Sequence, residues 1–172
     1  MEFSELIKKR RSIRAFKKKE IPEELLIDIL EMVLTAPSAG NLQSYKIIIV
    51  KDDRTKELLA DAAWNQNFIM EAPINIVFCA DMSRALPRYG KRGAELYCIQ
   101  DATIATTYFL LAAYEKGLAT VWVGAFDEEE IREILKLPNA LRPISIVPIG
   151  YPNEYPSPTP RRSLKELILK YI

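Results

Sequence analysis

Histidine is absent from all 172 residues of this chain. Its absence removes Ser-His-Asp and Cys-His nucleophilic arrangements, histidine-based metal centres and imidazole acid–base chemistry. An enzyme built from this sequence must use a carboxylate, a lysine, a tyrosine or a bound cofactor. Cysteine is scarce too: Cys79 and Cys98 lie in apolar surroundings without C-x-x-C spacing, which predicts small buried hydrophobes rather than a disulfide or redox pair. No run of about 18 uncharged apolar residues occurs, and the N-terminus lacks a signal-peptide pattern, so the expectation is a soluble, cytoplasmic protein with no membrane partner. Internal repeats and low-complexity blocks are also lacking.

What the chain does hold is enough apolar material for one core: 49% of residues are hydrophobic, and the length predicts a single domain over 1–172. Charge is unevenly distributed. Residues 1–19 carry eight basic side chains against Glu2 and Glu5, a local +6, whereas the whole chain is +1, so the remaining 153 residues net −5. A chain that coats nucleic acid is usually basic throughout or along a long face, so no nucleic-acid partner is expected. Lys17, Lys18 and Lys19 read as a solvated turn. The segment Arg10-Arg11-Ser12-Ile13-Arg14 differs from them: three guanidiniums and a hydroxyl within five positions form a dense set of forked donors suited to a phosphate or another planar anion.

The rest of the chain alternates helices with strands. Phe3, Leu6 and Ile7 recur at helical spacing and predict a helix over 2–10 that delivers the arginines at its C-terminal end. Pro22 opens a second helix, with Glu23 and Glu24 complementing its dipole and Leu25, Leu26, Ile29, Leu30 and Val33 forming the buried stripe. Strands are predicted at 45–51, 74–80, 120–124 and 144–149, and helices at 53–63 and 127–137, the latter opened by Asp127 and Glu130. Between Lys91 and Lys116 there is no proline, and from Leu96 apolar residues fall on nearly every face, which predicts a central buried helix closed by Gly117. Pro152, Pro156, Pro158 and Pro160 hold the chain extended before Ser163 and Glu166 cap a last helix. Four strands among six or seven helices predict an α+β or three-layer αβα domain.

Two loops stand out by composition. Ala36-Pro37-Ser38-Ala39-Gly40-Asn41-Leu42-Gln43 packs small residues with two amides and a hydroxyl, though a turn needs Pro, Gly and Asn for backbone reasons alone. Trp122-Val123-Gly124-Ala125-Phe126 ends a strand on a small pair that lets backbone N–H groups approach a flat ligand; a strand-end kink would look the same.

In order along the chain, Arg-Arg-Ser-Ile-Arg-Ala-Phe (10–16), Ala-Pro-Ser-Ala-Gly-Asn-Leu-Gln (36–43), Trp-Asn-Gln-Asn with Ala-Pro-Ile-Asn-Ile (64–76), Gln-Asp-Ala (100–102), Gly-Leu-Ala-Thr-Val-Trp-Val-Gly (117–124) and Pro-x-Pro-x-Pro-Arg (156–161) resemble the nitroreductase family of FMN-dependent oxidoreductases. The family's loop commonly runs on as Gln-Pro-Trp where this chain has Gln43-Ser44-Tyr45, and this chain is shorter than many members, with little room for an added lid. The resemblance implies a three-layer αβα sandwich with a mixed central sheet of four to five strands and a long buried central helix. It further implies a non-covalent FMN whose phosphate is held by Arg10, Ser12 and Arg161, with Arg11 near the ribityl chain. Arg14 would lie beside the N1/C2 edge of the ring, Asn65 and Gln66 at its pyrimidine edge, and the backbone N–H groups of Gly124 and Ala125 toward N5 and O4. Pro37, Ser38, Ala39 and Asn41 would come from the other subunit of a homodimer.

The implied reaction passes a hydride from NADH or NADPH through flavin N5 to a nitro compound, quinone or similar small acceptor, a chemistry that asks for no histidine. Trp64, Tyr89 and Phe126 are candidates for the open face, or are simple packing. Dehalogenation, enoate reduction and flavin cleavage are alternatives on the same fold. A non-catalytic nucleotide- or phosphate-binding module using Arg10, Arg11 and Arg14 is an alternative outside it, and a nucleic-acid-binding protein is a third.

Overall fold

The computed structural model describes residues 2–172. Helices α1 (Phe3–Lys9) and α2 (Glu23–Val33) precede strand β1 (Tyr45–Val50). Helices α3 (Asp53–Ala62) and α4 (Phe68–Glu71) lead to β2 (Ile74–Asp81), α5 (Met82–Arg92) and α6 (Cys98–Glu115). Then come β3 (Ala119–Thr120), α7 (Glu128–Ile134), β4 (Leu141–Gly150) and α8 (Leu164–Leu167). The strands form one sheet in the order β1-β2-β4-β3, and all three pairings are antiparallel. The parallel component of the expected mixed sheet is a single bridge between Ser12 and Thr120.

The side-chain alternation of β2 sorts the core into layers. Ile74, Ile76, Phe78 and Ala80 face α2 and α6 in one cluster, whereas Val77 and Cys79 face α3, α4 and α7 in another. Both faces of β2 are covered, so all eight of its residues are buried, and its sequence is apolar except for Asn75 and the terminal Asp81. Phe78 meets Phe109 of α6 with ring centroids 5.6 Å apart, locking the sheet to that helix.

Three departures from the sequence reading have local causes. The strand expected at 120–124 is interrupted: β3 pairs Ala119 with Gly150 and Thr120 with Ile149, and pairing resumes only at Val123 with Ile146. In that register Val121 falls opposite Pro148, which has no N–H to donate, so the ladder lapses there. Helix α5 was not anticipated, since Pro87 lies inside it and Gly90, at φ +58° and ψ −149°, kinks it. The long helix expected from Leu96 onward is α6, joined to α5 by a π-helical turn over Gly93–Tyr97.

Helix α6 buries Ala102, Ala105, Phe109 and Ala113 against the core. Its opposite face leaves Gln100, Thr103, Thr107 and Tyr108 exposed and Ile104 and Leu111 half-buried, with no charged residue between Asp101 and Glu115. Among the described residues, no helix is long and apolar enough to cross a membrane.

Candidate functional site

The arginine segment leaves α1 at Arg10, whose backbone turns from helix to extended. It is then fastened on both sides: the Ile13 N–H donates to the Thr120 carbonyl at 3.1 Å, and the Lys17 N–H donates to the Tyr151 carbonyl at 2.9 Å. Ile13 and Phe16 point inward to pack with Ala72 and Ala119, which leaves Ser12 half-buried and Arg14 exposed on the other side of the strand.

Arg10 carries the clearest electrostatic signal in the protein. Its Nη1 is buried and has no hydrogen-bond partner. Burial pulls its pKa below the usual arginine value, and the neighbouring charges of Arg161 and then Arg11 pull it further. Three guanidiniums separated by up to 151 positions in sequence are thus gathered, and among the described residues none of them forms an ion pair with a carboxylate. An orphaned donor inside a cationic cluster fits a polyvalent anion such as a phosphate monoester. A cavity of about 350 Å³ lined by Lys8, Arg11 and Arg161 opens beside it. Arg11 itself donates to the carbonyls of Lys8 at 2.6 Å and Arg10 at 2.8 Å, capping the end of α1. Arg162 turns instead to Glu166, donating to its carbonyl at 2.9 Å.

The other expected residues of this half converge on the same region. The Arg14 backbone N–H donates to the carboxylate of Glu154, and its guanidinium stands 5.8 Å from the centre of the Phe68 ring. Gln66 donates through Nε2 to the carbonyls of Ala63 at 3.0 Å and Ala125 at 3.1 Å, so the 63–66 turn and the exposed Gly124-Ala125 pair are tied together. Trp64 and Asn65 both adopt left-handed backbone, at φ +56° and +60°. For a bulky aromatic this conformation is strained, and Trp64 is 65% exposed, so the strain sustains a surface feature rather than core packing. Tyr89 and Phe126 are half-buried. Phe126 packs against the core cluster beneath α3 and α7.

Pro37, Ser38, Ala39 and Asn41 are not brought to this region. Their loop is anchored to the N-terminal end of α6, where the Asp101 carboxylate accepts from the N–H groups of Ala39 at 2.9 Å and Ser44 at 3.2 Å. Ser38 Oγ accepts the Gln43 N–H at 2.9 Å. From the other side, Arg84 donates to the Leu42 carbonyl, and Arg88 donates to the Gly40 carbonyl at 3.2 Å. Gly40 adopts φ +54°, which favours glycine, and a Cβ there would lie 2.2 Å from the Tyr89 hydroxyl and would have to displace that side chain. Sequence reasoning assigned no role to Asp101, Arg84 or Arg88. An acid within an otherwise apolar helical run is the signal that would have found Asp101, which is 2% exposed.

The loop and the arginine cluster sit at opposite ends of α6. The loop shares a cavity of about 580 Å³ with Tyr97, Gln100 and Thr103, whereas Arg11 and Ile13 share one of about 450 Å³ with Tyr114 and Leu118. At about 1.5 Å rise per residue, the helix between Asp101 and Glu115 spans roughly 21 Å.

Comparison with known proteins gives this arrangement a context. The family model described as the Nitroreductase family matches residues 7–151. A protein named NADH dehydrogenase from Thermus thermophilus is 36% identical over 94% of this chain and 92% of its own length. An iodotyrosine deiodinase from Thermotoga neapolitana is 30% identical over 97% and 96%. The NADPH:FMN oxidoreductase of Vibrio harveyi, solved in complex with NAD+, superimposes with a TM-score of 0.90 at 28% identity, covering 98% of this chain and 77% of that one.

Proposed function

Because the chain belongs to the nitroreductase family, we propose that it is an NAD(P)H-dependent FMN oxidoreductase that reduces a small acceptor and works as a homodimer. The observation that carries this reading is the buried, unpartnered Nη1 of Arg10 within the Arg10, Arg11 and Arg161 cluster. Those residues fit the phosphate of FMN, a dianion that relieves their mutual repulsion and satisfies the orphaned donor. Likeness to proteins named for NADPH and FMN supports the choice of cofactor and electron donor.

In this reading Arg10, Ser12 and Arg161 hold the phosphate, and Arg11 shapes the channel by fixing the end of α1. Arg14, Asn65 and Gln66 meet the polar edge of the ring. Gln66 also holds the Ala125 carbonyl, which fixes the 124–126 segment from which the Gly124 and Ala125 N–H groups would reach the ligand. When bound, FMN supplies hydride acceptance and donation at its N5. The chain contributes grip, orientation and one open side.

Two features support the homodimer. The uncharged outer face of α6 leaves Gln100, Thr103, Thr107 and Tyr108 exposed in the protomer, and the C-terminal arm leaves Tyr155, Leu164, Leu169 and Tyr171 each at least 70% exposed. A second copy buries both. The distance along α6 between loop 37–41 and the arginine cluster is spanned when each cofactor is shared between the arginines of one protomer and the loop of its partner. Likeness to an iodotyrosine deiodinase favours reductive dehalogenation as the second reading of the same site.

The test is direct. Purified protein is expected to bind one FMN per chain, to release it on denaturation, to bleach anaerobically with NADH or NADPH, and to scatter light as a dimer. A chain that takes up no FMN overturns the oxidoreductase reading. Bound flavin that neither nucleotide bleaches leaves a binding module, and a flavin-bearing monomer overturns the shared site.

A further inference from the structure

The arginines of this protein divide by whether a carboxylate meets them. Arg54 pairs with Glu57, Arg132 with Glu129, Arg142 with Glu128 and Arg162 with Glu166. Among the described residues the other seven have no such partner, and they fall into two groups. Arg10, Arg11, Arg14 and Arg161 belong to the flavin site proposed above. Arg84, Arg88 and Arg92 lie on α5, against the loop at the other end of α6.

The α5 group is held in place without being neutralised. Arg84 and Arg88, one helical turn apart, donate to the carbonyls of Leu42 and Gly40. Past the Gly90 kink, Arg92 donates through Nε to the Tyr97 hydroxyl at 3.1 Å. Each uses one donor on an uncharged oxygen and keeps the rest of its fork. Arg88 stands 5.4 Å from the Tyr89 ring and Arg92 stands 5.5 Å from the Tyr97 ring, and the two rings meet edge to face at 5.2 Å. No acidic residue lies between Met82 and Ala94. The nearest acids in sequence are engaged: Asp81 accepts from Ser83 and the Arg84 N–H, and Glu95 lies 3.6 Å from Lys91.

We propose that Arg88 and Arg92, on their tyrosine platforms, form a second anion-recognising edge that selects, for exchange at the flavin, a planar molecule carrying a negative charge. This rests on the reading above, in which the loop clamped by α5 reaches over the partner's cofactor. Forked guanidiniums take a carboxylate, phenolate or phosphate, while the accessible sides of the half-buried Tyr89 and Tyr97 rings take the flat frame that carries it. The same chemistry is offered by the pyrophosphate of a pyridine nucleotide and by an anionic aromatic acceptor.

The experiment titrates the FMN-loaded dimer with benzoate against benzamide, and with ADP against adenosine, following the perturbation of flavin absorbance. The wild type is expected to favour the anion of at least one pair by about tenfold. The double variant Arg88→Gln, Arg92→Gln brings that ratio within about twofold, and Arg88→Lys, Arg92→Lys largely restores it, because restored charge rather than loop position decides the preference. Loss confined to the ADP pair assigns the edge to the nucleotide, and loss confined to the benzoate pair assigns it to the acceptor. Ratios identical in wild type and both variants overturn the inference while the flavin reading stands. A wild-type chain that takes up no flavin overturns both.

Discussion

The Asp101 carboxylate accepts the Ala39 N–H at 2.9 Å across 62 positions of sequence, and its second oxygen accepts the Ser44 N–H at 3.2 Å. One buried acid on α6 therefore satisfies both ends of a loop whose carbonyls are held from the opposite side by Arg84 and Arg88. The loop is held by side chains that satisfy its backbone groups from both sides.

Replacing Asp101 with asparagine should loosen that loop. The amide has one acceptor oxygen, so either the Ala39 or the Ser44 N–H faces an amide donor, and the charge assistance is lost at both. The expected destabilisation is about 1.5–3 kcal/mol by urea unfolding. FMN should also dissociate more readily, as read by recovery of flavin fluorescence. Unchanged values for both measurements would show that the arginines alone hold the loop.

Gly40→Ala separates two effects that coincide at one position. A left-handed L-residue costs about 1–2 kcal/mol, and the added Cβ must also displace the Tyr89 hydroxyl, which would lie 2.2 Å away. In a Tyr89→Phe background the second contribution should shrink while the first persists. A double-mutant cycle by urea denaturation is therefore expected to show positive coupling, and strict additivity would mean that Tyr89 moves aside freely.

Arg161 and Arg14 should differ in what they report. Arg161→Ala is expected to weaken FMN much more than riboflavin, since only FMN carries the phosphate that loses a forked partner. Arg14→Met should leave the FMN/riboflavin preference nearly unchanged and lower the reduction potential of the bound flavin by roughly 20–45 mV, the scale of one solvent-screened charge. Riboflavin serves as the control in fluorescence titrations, and spectroelectrochemistry reads the potential. Equal effects of both substitutions on the FMN/riboflavin preference would place Arg14 at the wrong end of the cofactor.

Burial pushes the Cys79 thiol up to about 12, with Arg132 opposing the shift weakly. Its raised folded value means that the unfolded chain loses this proton first as pH rises. The stabilisation is complete below the ordinary thiol range near 9 and is lost between there and about 12, at up to about 1.4 kcal/mol per pH unit. Urea unfolding at pH 8 and pH 10 should show a steeper alkaline loss for the wild type than for Cys79→Ala. Cys79 and Cys98 are both buried and free, so neither should react with a thiol reagent until the protein unfolds. Parallel alkaline slopes for the two proteins would show that the thiol does not contribute.

Features governed by near neighbours were legible in the sequence. The apolar run at 74–80 foretold a buried strand, the stripe from Leu25 to Val33 foretold α2, and Ser163 with Glu166 foretold the cap of α8, where the Glu166 carboxylate accepts the Ser163 N–H at 2.7 Å. Six short motifs in order pointed to the family, and the forked chemistry of Arg10-Arg11-Ser12-Ile13-Arg14 pointed to an anion. Features that depend on distant partners were not legible. The strand after Thr120 breaks because Pro148, 28 residues on, lies across from it without an N–H, and α5 persists past Pro87 because its side chains are tied to Gly40, Leu42 and Tyr97. The role of Asp101 appears only once Ala39 and Ser44 are folded against α6. Composition and periodicity decide which residues are apolar, helical or anion-seeking, since those properties reside in a residue and its immediate neighbours. Tertiary packing alone decides that Arg10 is half-buried beside Arg161 while the small-residue loop stands at the far end of α6, because the desolvation and Coulomb repulsion that mark the cluster exist only between groups the fold has brought together.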